Sequence, residues 1–292
     1  VVWGLSPETP GTGLGAISYA LRHVGTLGRP IGGSGMLPEA LKQSFLAAGG
    51  FLRTNTRVVG VICEGSRVSA VQTGDGATVT ARIVVSACDP QRTFVQWLKN
   101  PPAKANSLIN RWKSHTPGEG YESKIDAITN TPPVFNAFAD SLTNLQMTGS
   151  TVIVSPSLAE LHRGSQLMRD GKTMPRMALL ANTPSNIDNS ISPAGKSVFS
   201  LEALYTPYSF TDGWESSDEP ERWLRQFGSL VQPGFMDSIE QWRVLTPAHY
   251  ESQFHLPKGH ALSFGGGPLA AFMGSTPELT RYHTPIKGLY LT

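Results

Sequence analysis

The sequence predicts a mixed fold, α+β with α/β character, and three observations carry that expectation. Between residues 29 and 90 a glycine-rich turn leads into a helix and then into successive β-runs. After Pro90 the texture changes, with breakers at Pro101-Pro102, Thr116-Pro-Gly-Glu-Gly120 and Thr131-Pro-Pro133. Beyond these, strand and helix signals follow one another in the manner of a sheet covered on one side by helices. At 292 residues the chain is long enough to bury a sizeable core in one large domain or two.

The first segment is read residue by residue. Glycine has no Cβ, so Gly32-Gly-Ser-Gly35 lets backbone approach backbone or a ligand closely. A helix over 37–48 places Leu37, Leu41, Phe45 and Ala48 on one face, at the spacing that buries a stripe. Pro38 suits its first turn, and Gly49-Gly50 supplies the stop. Three β-runs follow, at 57–63, 67–72 and 78–87, joined by Glu64-Gly65-Ser66 and Thr73-Gly-Asp-Gly76 turns. The apolar end of the last run, Ile83-Val-Val-Ser-Ala87, suits a strand buried on both faces. Upstream, a helix is expected through Ile17, Leu21 and Val24. Downstream, strands are expected at 121–129, 151–155, 176–182 and 197–205, with helices at 157–170 and 219–231.

Charge and cysteine content narrow the function classes. Lys plus Arg number 24 and Asp plus Glu 22, a net charge of +2 that supplies no electrostatic reason to expect nucleic acid as a partner. Glycine (30) and proline (22) are above average use but below the level of a disordered chain, so a folded, loop-rich protein is expected. Cys63 and Cys88 match no zinc spacing and read as buried free thiols of a reducing, cytoplasmic compartment. No apolar run reaches the ~20 residues of a membrane span. The opening Val1-Val-Trp-Gly-Leu-Ser-Pro7 has neither Met nor a signal-peptide layout, and Thr284–Thr292 reads as a strand just beginning.

Several motifs fail on inspection. Gly11-Thr-Gly-Leu-Gly-Ala16 fits G-x-G-x-x-A, but Ser6–Pro10 cannot be the preceding strand, and the nearest later acid, Glu39, lies in a helix. Ser34 lacks the second glycine of a nucleophile elbow, because residue 36 is Met. No Gly-Lys-Ser/Thr follows to cradle a phosphate, and the seven histidines form no metal-ligand pattern. Lys124, Arg281 and His283 are polar residues expected near strand ends, with surface ion pairing as their role.

The order of the remaining motifs is more specific. Trp3-Gly-Leu-Ser-Pro7, Gly32-Gly-Ser-Gly-Met-Leu-Pro-Glu-Ala-Leu41, Gly49-Gly50, Thr56-Arg-Val58, Val84-Val-Ser-Ala87-Asp89-Pro90 and Pro285-Ile-Lys-Gly-Leu-Tyr-Leu-Thr292 together resemble the phytoene desaturase-like flavoproteins. The motifs also resemble the pyridine nucleotide-disulfide oxidoreductase domain-containing protein 2 group, within the superfamily that includes the amine oxidases. The resemblance implies a two-domain flavoprotein: 29–90 as the middle segment of a split FAD-binding domain, 1–28 and 91–284 as a mixed-sheet substrate domain, and 285–292 as the start of a final FAD-domain strand. It implies that Val58 contacts the adenine through its backbone and that Ala87 and Cys88 border the dinucleotide. Gly32 and Gly33 would lie against the cofactor, and Met36 would face the substrate.

The activity implied is FAD-dependent oxidation, a dehydrogenase, desaturase or isomerase using hydride transfer at flavin N5. The substrate would be small and apolar, of isoprenoid or polyene type, drawn from a membrane by peripheral association. No acid or base is assigned to the chemistry. The strand–GxGxxG–helix that holds the FAD diphosphate is absent from these residues, and so is the glycine-rich segment expected after Thr292. The expectation is therefore a fragment of a longer flavoenzyme that, alone, binds FAD weakly or not at all. Two rivals stand beside it: a non-catalytic binding module that has lost FAD, and an amine oxidase-like enzyme, which would need an aromatic cage of which the sequence carries no local sign.

Overall fold

Two glycines settle where the first clear helix ends. In the computed structural model, which describes residues 8–21, 28–138, 151–260 and 276–292, a short helix α1 (Leu14–Leu21) is followed by α2 (Met36–Ala47). The Gly50 amide donates to the Phe45 carbonyl at 2.9 Å and the Gly49 amide to that of Leu46 at 2.9 Å, with Gly49 at φ +84°. This paired bonding around a left-handed residue is the Schellman stop. The expected apolar stripe behaves differently: Leu37, Leu41 and Phe45 are all more than half exposed, and α2 has no buried residue. Periodicity sets which residues share a face, but burial needs an apolar surface opposite, and no described element supplies one. Val24 lies outside the described residues.

The described chain divides into two compact units, and the boundary falls within α2, between Ser44 and Phe45. The smaller unit holds 45–117 and 276–292, the larger 8–21, 28–44 and 118–260. These bounds run differently from the segments expected from sequence. The stretch 29–44 groups with the later sheet, and 91–117 groups with the first meander, because its helix packs into that core.

The smaller unit is built on β1 (Val58–Glu64), β2 (Arg67–Thr73) and β3 (Thr78–Thr80), an antiparallel meander with the tight turns the sequence carries. The long run expected at 78–87 is two strands. After β3 the Ala81 amide still donates to the Ser69 carbonyl of β2 at 2.9 Å, and then β4 (Val84–Ser86) pairs in parallel with a segment from the far end of the chain. Then come β5 (Leu98–Lys99), parallel to β1, and α3 (Asn106–Ser114), which buries Leu108 and Trp112 at i, i+4. Phe94, Val61, Val68, Ile286 and Leu289 complete that core.

The larger unit is a five-stranded sheet formed by β6 (Tyr121–Thr129), β7 (Val152–Val154), β8 (Leu179–Asn182), β9 (Ser197–Thr206) and β10 (Ile239–Leu245) in the order β10-β6-β9-β8-β7. All its pairings are antiparallel. Helix α4 (Leu158–Arg169) begins at Ser157 with a capping box, Glu160 reaching back to the Ser157 amide at 2.7 Å. Together with α5 (Glu219–Gly228) it lays Leu161, Trp223, Leu224 and Phe227 against one sheet face. Phe199, Phe227 and Phe235 form a triangle with ring centroids 4.9–5.7 Å apart. Helix α6 (Pro247–Phe254) follows β10 directly, and α7 (Pro277–Thr280) precedes β11 (Leu289–Leu291), the parallel partner of β4. Among the described residues no helix is long and apolar enough to cross a membrane.

Two further sequence expectations need correction. Ile83 and Val85 are 63% and 59% exposed, so this run is not buried on both faces. Cys88 is exposed, just past the end of that strand, whereas Cys63 is buried in β1 and burial pushes its thiol pKa up. Helix α3, strand β10 and helix α6 were not read from the sequence at all.

The parallel pair depends on Gly288. Its φ is +82°, and a Cβ there would lie 2.4 Å from the Arg82 carbonyl oxygen. Its own carbonyl accepts the Val84 amide at 2.8 Å, while the neighbouring Lys287 carbonyl accepts that of Val68 at 3.0 Å. One short segment thus stitches β2 and β4. Gly288→Ala is expected to destabilise the smaller unit by about 1–3 kcal/mol, since the substitution adds strain that only backbone movement relieves. In the larger unit, Phe227→Ala should cost about 3–5 kcal/mol by leaving a cavity beneath the sheet. Denaturant unfolding followed by tryptophan fluorescence measures both, and a cost below half a kcal/mol at either position would contradict the packing described.

Candidate functional site

The residues singled out from sequence divide between the two units. In the larger one, Gly32 and Gly33 take φ of +85° and +92° and turn the chain into α2. The Gly33 amide donates to the Pro30 carbonyl at 3.0 Å and that of Met36 to Gly33 at 3.1 Å. Met36 is 45% exposed, and its side chain folds over Gly32, where a Cβ would come within 2.9 Å of its Cγ. Asp188, distant in sequence, completes the turn: its Oδ2 accepts the Gly32 amide at 2.6 Å, and its Oδ1 accepts the Ser190 hydroxyl and amide. Nothing in the local sequence around Asp188 signals this pairing, which spans 156 residues.

In the smaller unit, Val58 opens β1 and is half-buried, and its sheet is the four-stranded one. Ala87 and Cys88 belong elsewhere, at the exposed carboxyl end of the parallel β4–β11 pair. There the Thr292 amide donates to the Ser86 carbonyl at 2.9 Å, and the buried Ser86 and Thr93 hydroxyls share a 2.7 Å hydrogen bond. The carboxyl ends of parallel strands are where open α/β sheets receive ligands. Arg281 follows α7, and His283 bridges to Tyr290 of β11 with rings 5.4 Å apart.

The second face of the five-stranded sheet carries polar chemistry that the sequence reading did not assemble. Alternation along β6 puts Glu122, Lys124 and Asp126 on the side away from the phenylalanine core. Pairing aligns Lys124 with Glu202 and Asp126 with Ser200 on β9, and Asp126 with Arg243 on β10. Lys124, expected near a strand end, is instead the fourth residue of a nine-residue strand. It meets Asp126 at 3.0 Å, and Arg243 meets the other Asp126 oxygen at 3.2 Å. Burial, then the proximity of Glu202, raises the pKa of Glu122; burial, with Asp126 adding to it against Lys124, raises that of Glu202. Tyr250 of α6 is also raised, by burial and then by the charges of Glu122, Glu202 and Asp126. A cavity of about 280 Å³ opens on this side of the sheet along Asp126, Ile128, Val198, Gln241 and Arg243. The signal that was available is the charged residue at every second position of 122–126.

With the geometry in place, likeness to known proteins supplies the class. Residues 5–152 match the family described as flavin containing amine oxidoreductases, and the chain belongs to that family. It is 28% identical over 303 residues to the mouse pyridine nucleotide-disulfide oxidoreductase domain-containing protein 2, covering 98% of this chain and 51% of that protein. It is 22% identical over 242 residues to a neurosporene-forming phytoene desaturase of Rhodobacter capsulatus, covering 80% of this chain and 43% of the enzyme. The chain thus spans about half the length of these relatives. In fold it is similar to an oxidoreductase from Methanosarcina mazei, with a TM-score of 0.57 and 18% identity over 90% of this chain and 49% of that one. The mixed α/β architecture is that of the flavin-dependent oxidoreductases.

The Asp188 clamp yields a pH prediction. The Ser190 hydroxyl first, and then the Gly32 amide, hold the Asp188 carboxyl below the usual carboxylate range. A lowered pKa in the folded state means the clamp contributes fully above the unfolded-state pKa and is lost as pH falls through the folded one. Hydrogen exchange at the Gly32 amide should therefore be slow at neutral pH, once corrected for intrinsic rate, and lose its protection under acid. Asp188→Ala should abolish that protection at neutral pH, and unchanged exchange in this variant would contradict the clamp.

Proposed function

We propose that the chain is part of an FAD-dependent oxidoreductase of the dehydrogenase, desaturase or isomerase type, acting on an apolar substrate. The observation that carries the reading is the exposed carboxyl end of the parallel β4–β11 pair, in a chain of a flavin-containing family. Ligands dock at that end of parallel strands because backbone groups there point outward unpaired. Ala87 and Cys88 leave the end uncovered and present small side chains to a dinucleotide. Fit is partial. The Gly11–Gly13 turn into α1 follows Ser6-Pro-Glu-Thr-Pro10, whose two prolines do not suit the central strand that a diphosphate fingerprint requires.

In this reading the smaller unit and the Gly32-Gly33 turn contribute to FAD binding, and the five-stranded sheet of the larger unit belongs to the substrate part. The flavin, when bound, supplies the acceptor for hydride. The chain's own residues orient and shield. Val58 offers its backbone to the adenine, and Ala87 and Cys88 border the dinucleotide. Gly32 and Gly33 permit close approach, while Met36 turns an apolar, polarisable thioether toward the substrate. Support for an apolar substrate comes from Met36 and from the relative named for phytoene desaturation.

Protein purified from the complete reading frame should show the two visible flavin bands and release FAD, identified by chromatography, on denaturation. Ala87→Trp should lose the flavin while keeping the circular dichroism of the parent. A colourless protein that takes up no added FAD would overturn the reading in favour of a non-catalytic module.

A further inference from the structure

We propose that Lys258 is the keystone of a clasp that ties together the two ends of the stretch 118–260 and opens while the sheet stays folded. That stretch belongs to the larger unit and is inserted between two segments of the smaller one, 45–117 and 276–292. Its first residues and its last described ones meet at Lys258. The Lys258 carbonyl accepts the Gly120 amide at 3.1 Å, and its Nζ donates to Glu119 Oε1. Its own amide donates to Glu251 Oε1 of α6 at 3.0 Å. The other oxygen of each carboxylate is also held, Glu119 Oε2 by the Ser209 hydroxyl at 3.0 Å and Glu251 Oε2 by the Tyr208 hydroxyl. Burial would raise the Glu119 pKa, but the bonds from Lys258 and Ser209 outweigh it and lower it, so this carboxylate is charged in place.

Backbone conformation separates the clasp from an ordinary turn. Lys258 has φ +51° and Gly259 φ +64°, two left-handed residues in a row. Glycine meets that requirement without a steric penalty, yet position 258 carries a lysine, whose side chain is what reaches Glu119. A residue in a disfavoured conformation persists only where its surroundings over-determine it. The amide, carbonyl and Nζ bonds of Lys258 do so, and close packing adds to them. A Cβ on Gly259 would lie 2.2 Å from the Pro247 carbonyl oxygen, and one on Gly118 would lie 2.8 Å from Cδ2 of the buried His260 ring. The strain at Lys258 opposes those bonds, so the turn is released when one of them is lost. Release is feasible in water, because the Lys258 and Glu119 side chains are 35% and 28% exposed and both charges can be hydrated. The few residues at 255–260 would then absorb the change in φ and ψ, as hinge segments do. The clasp lies within the larger unit and needs nothing from the flavin reading.

Hydrogen exchange at the Gly120 amide reads the clasp directly, because its acceptor is Lys258. Glu119→Gln keeps the lysine and removes the charge it meets, whereas Lys258→Gly keeps the turn and removes the side chain. In each variant Gly120 should exchange about tenfold faster, as the loss of a charge-assisted hydrogen bond would produce. Exchange at Ile125 and Leu201, paired in the middle of the sheet, should stay at the parent rate. Trypsin should cut Glu119→Gln after Lys258 faster than the parent by a similar factor, since cleavage follows the population of the open form. Were Lys258 only a turn residue, Lys258→Gly would relieve its backbone and protect Gly120 as well as the parent or better. Parent-like protection of Gly120 in either variant overturns the proposal. Loss of protection that spreads to Ile125 and Leu201, or a variant that fails to fold, overturns it too, because the bonds would then belong to the fold itself.

Discussion

The pairing of β6 with β9 organises the larger unit, because it sorts two kinds of chemistry onto opposite faces with one register. Ile125 faces Leu201 and Ala127 faces Phe199 on one side, while Lys124 faces Glu202 and Asp126 faces Ser200 on the other. A slip of one residue would drive three charges into the phenylalanine core and expose the core to water. The penalty on such a slip is what holds the charged row in place. The same apolar burial that stabilises the sheet also half-buries Glu122 and Glu202 and raises both pKa values.

A different constraint governs the smaller unit. Its meander is local and closes through tight turns, but its parallel pair joins residues about 200 apart in the chain. A parallel partner cannot come from a hairpin, so β4 waits on a segment from the far end. Gly288 makes the approach feasible by tolerating a conformation and a contact that a side chain would not. Glu278 ties the same end of the chain to α3, accepting from Trp112 Nε1 at 2.9 Å and from Arg111 at 2.5 Å. The exposed strand end that supports a dinucleotide reading is thus produced by long-range assembly.

Family membership and site chemistry bear on different questions here. Membership among flavin containing amine oxidoreductases sets the cofactor class. It says little about what the open sheet face holds, since the relatives are 28% identical or less.

Local physics was legible in the sequence wherever it alone decided the outcome. Gly49-Gly50 ends α2 through backbone freedom, Ser157 with Glu160 starts α4 through a cap, and alternation over 121–129 makes β6 a strand with two unlike faces. The order of motifs from Gly32 to Pro90 was enough to point to the family. What waited for the tertiary structure was every property that depends on a distant partner. Leu41 and Phe45 share a face but stay exposed, because no described surface meets them. The run at 78–87 breaks in two because its halves belong to different sheets. Asp188 reaches Gly32 across 156 residues, and Glu122 gains its neighbour Glu202 only through strand register. Periodicity states which way a side chain points; only packing states what it meets.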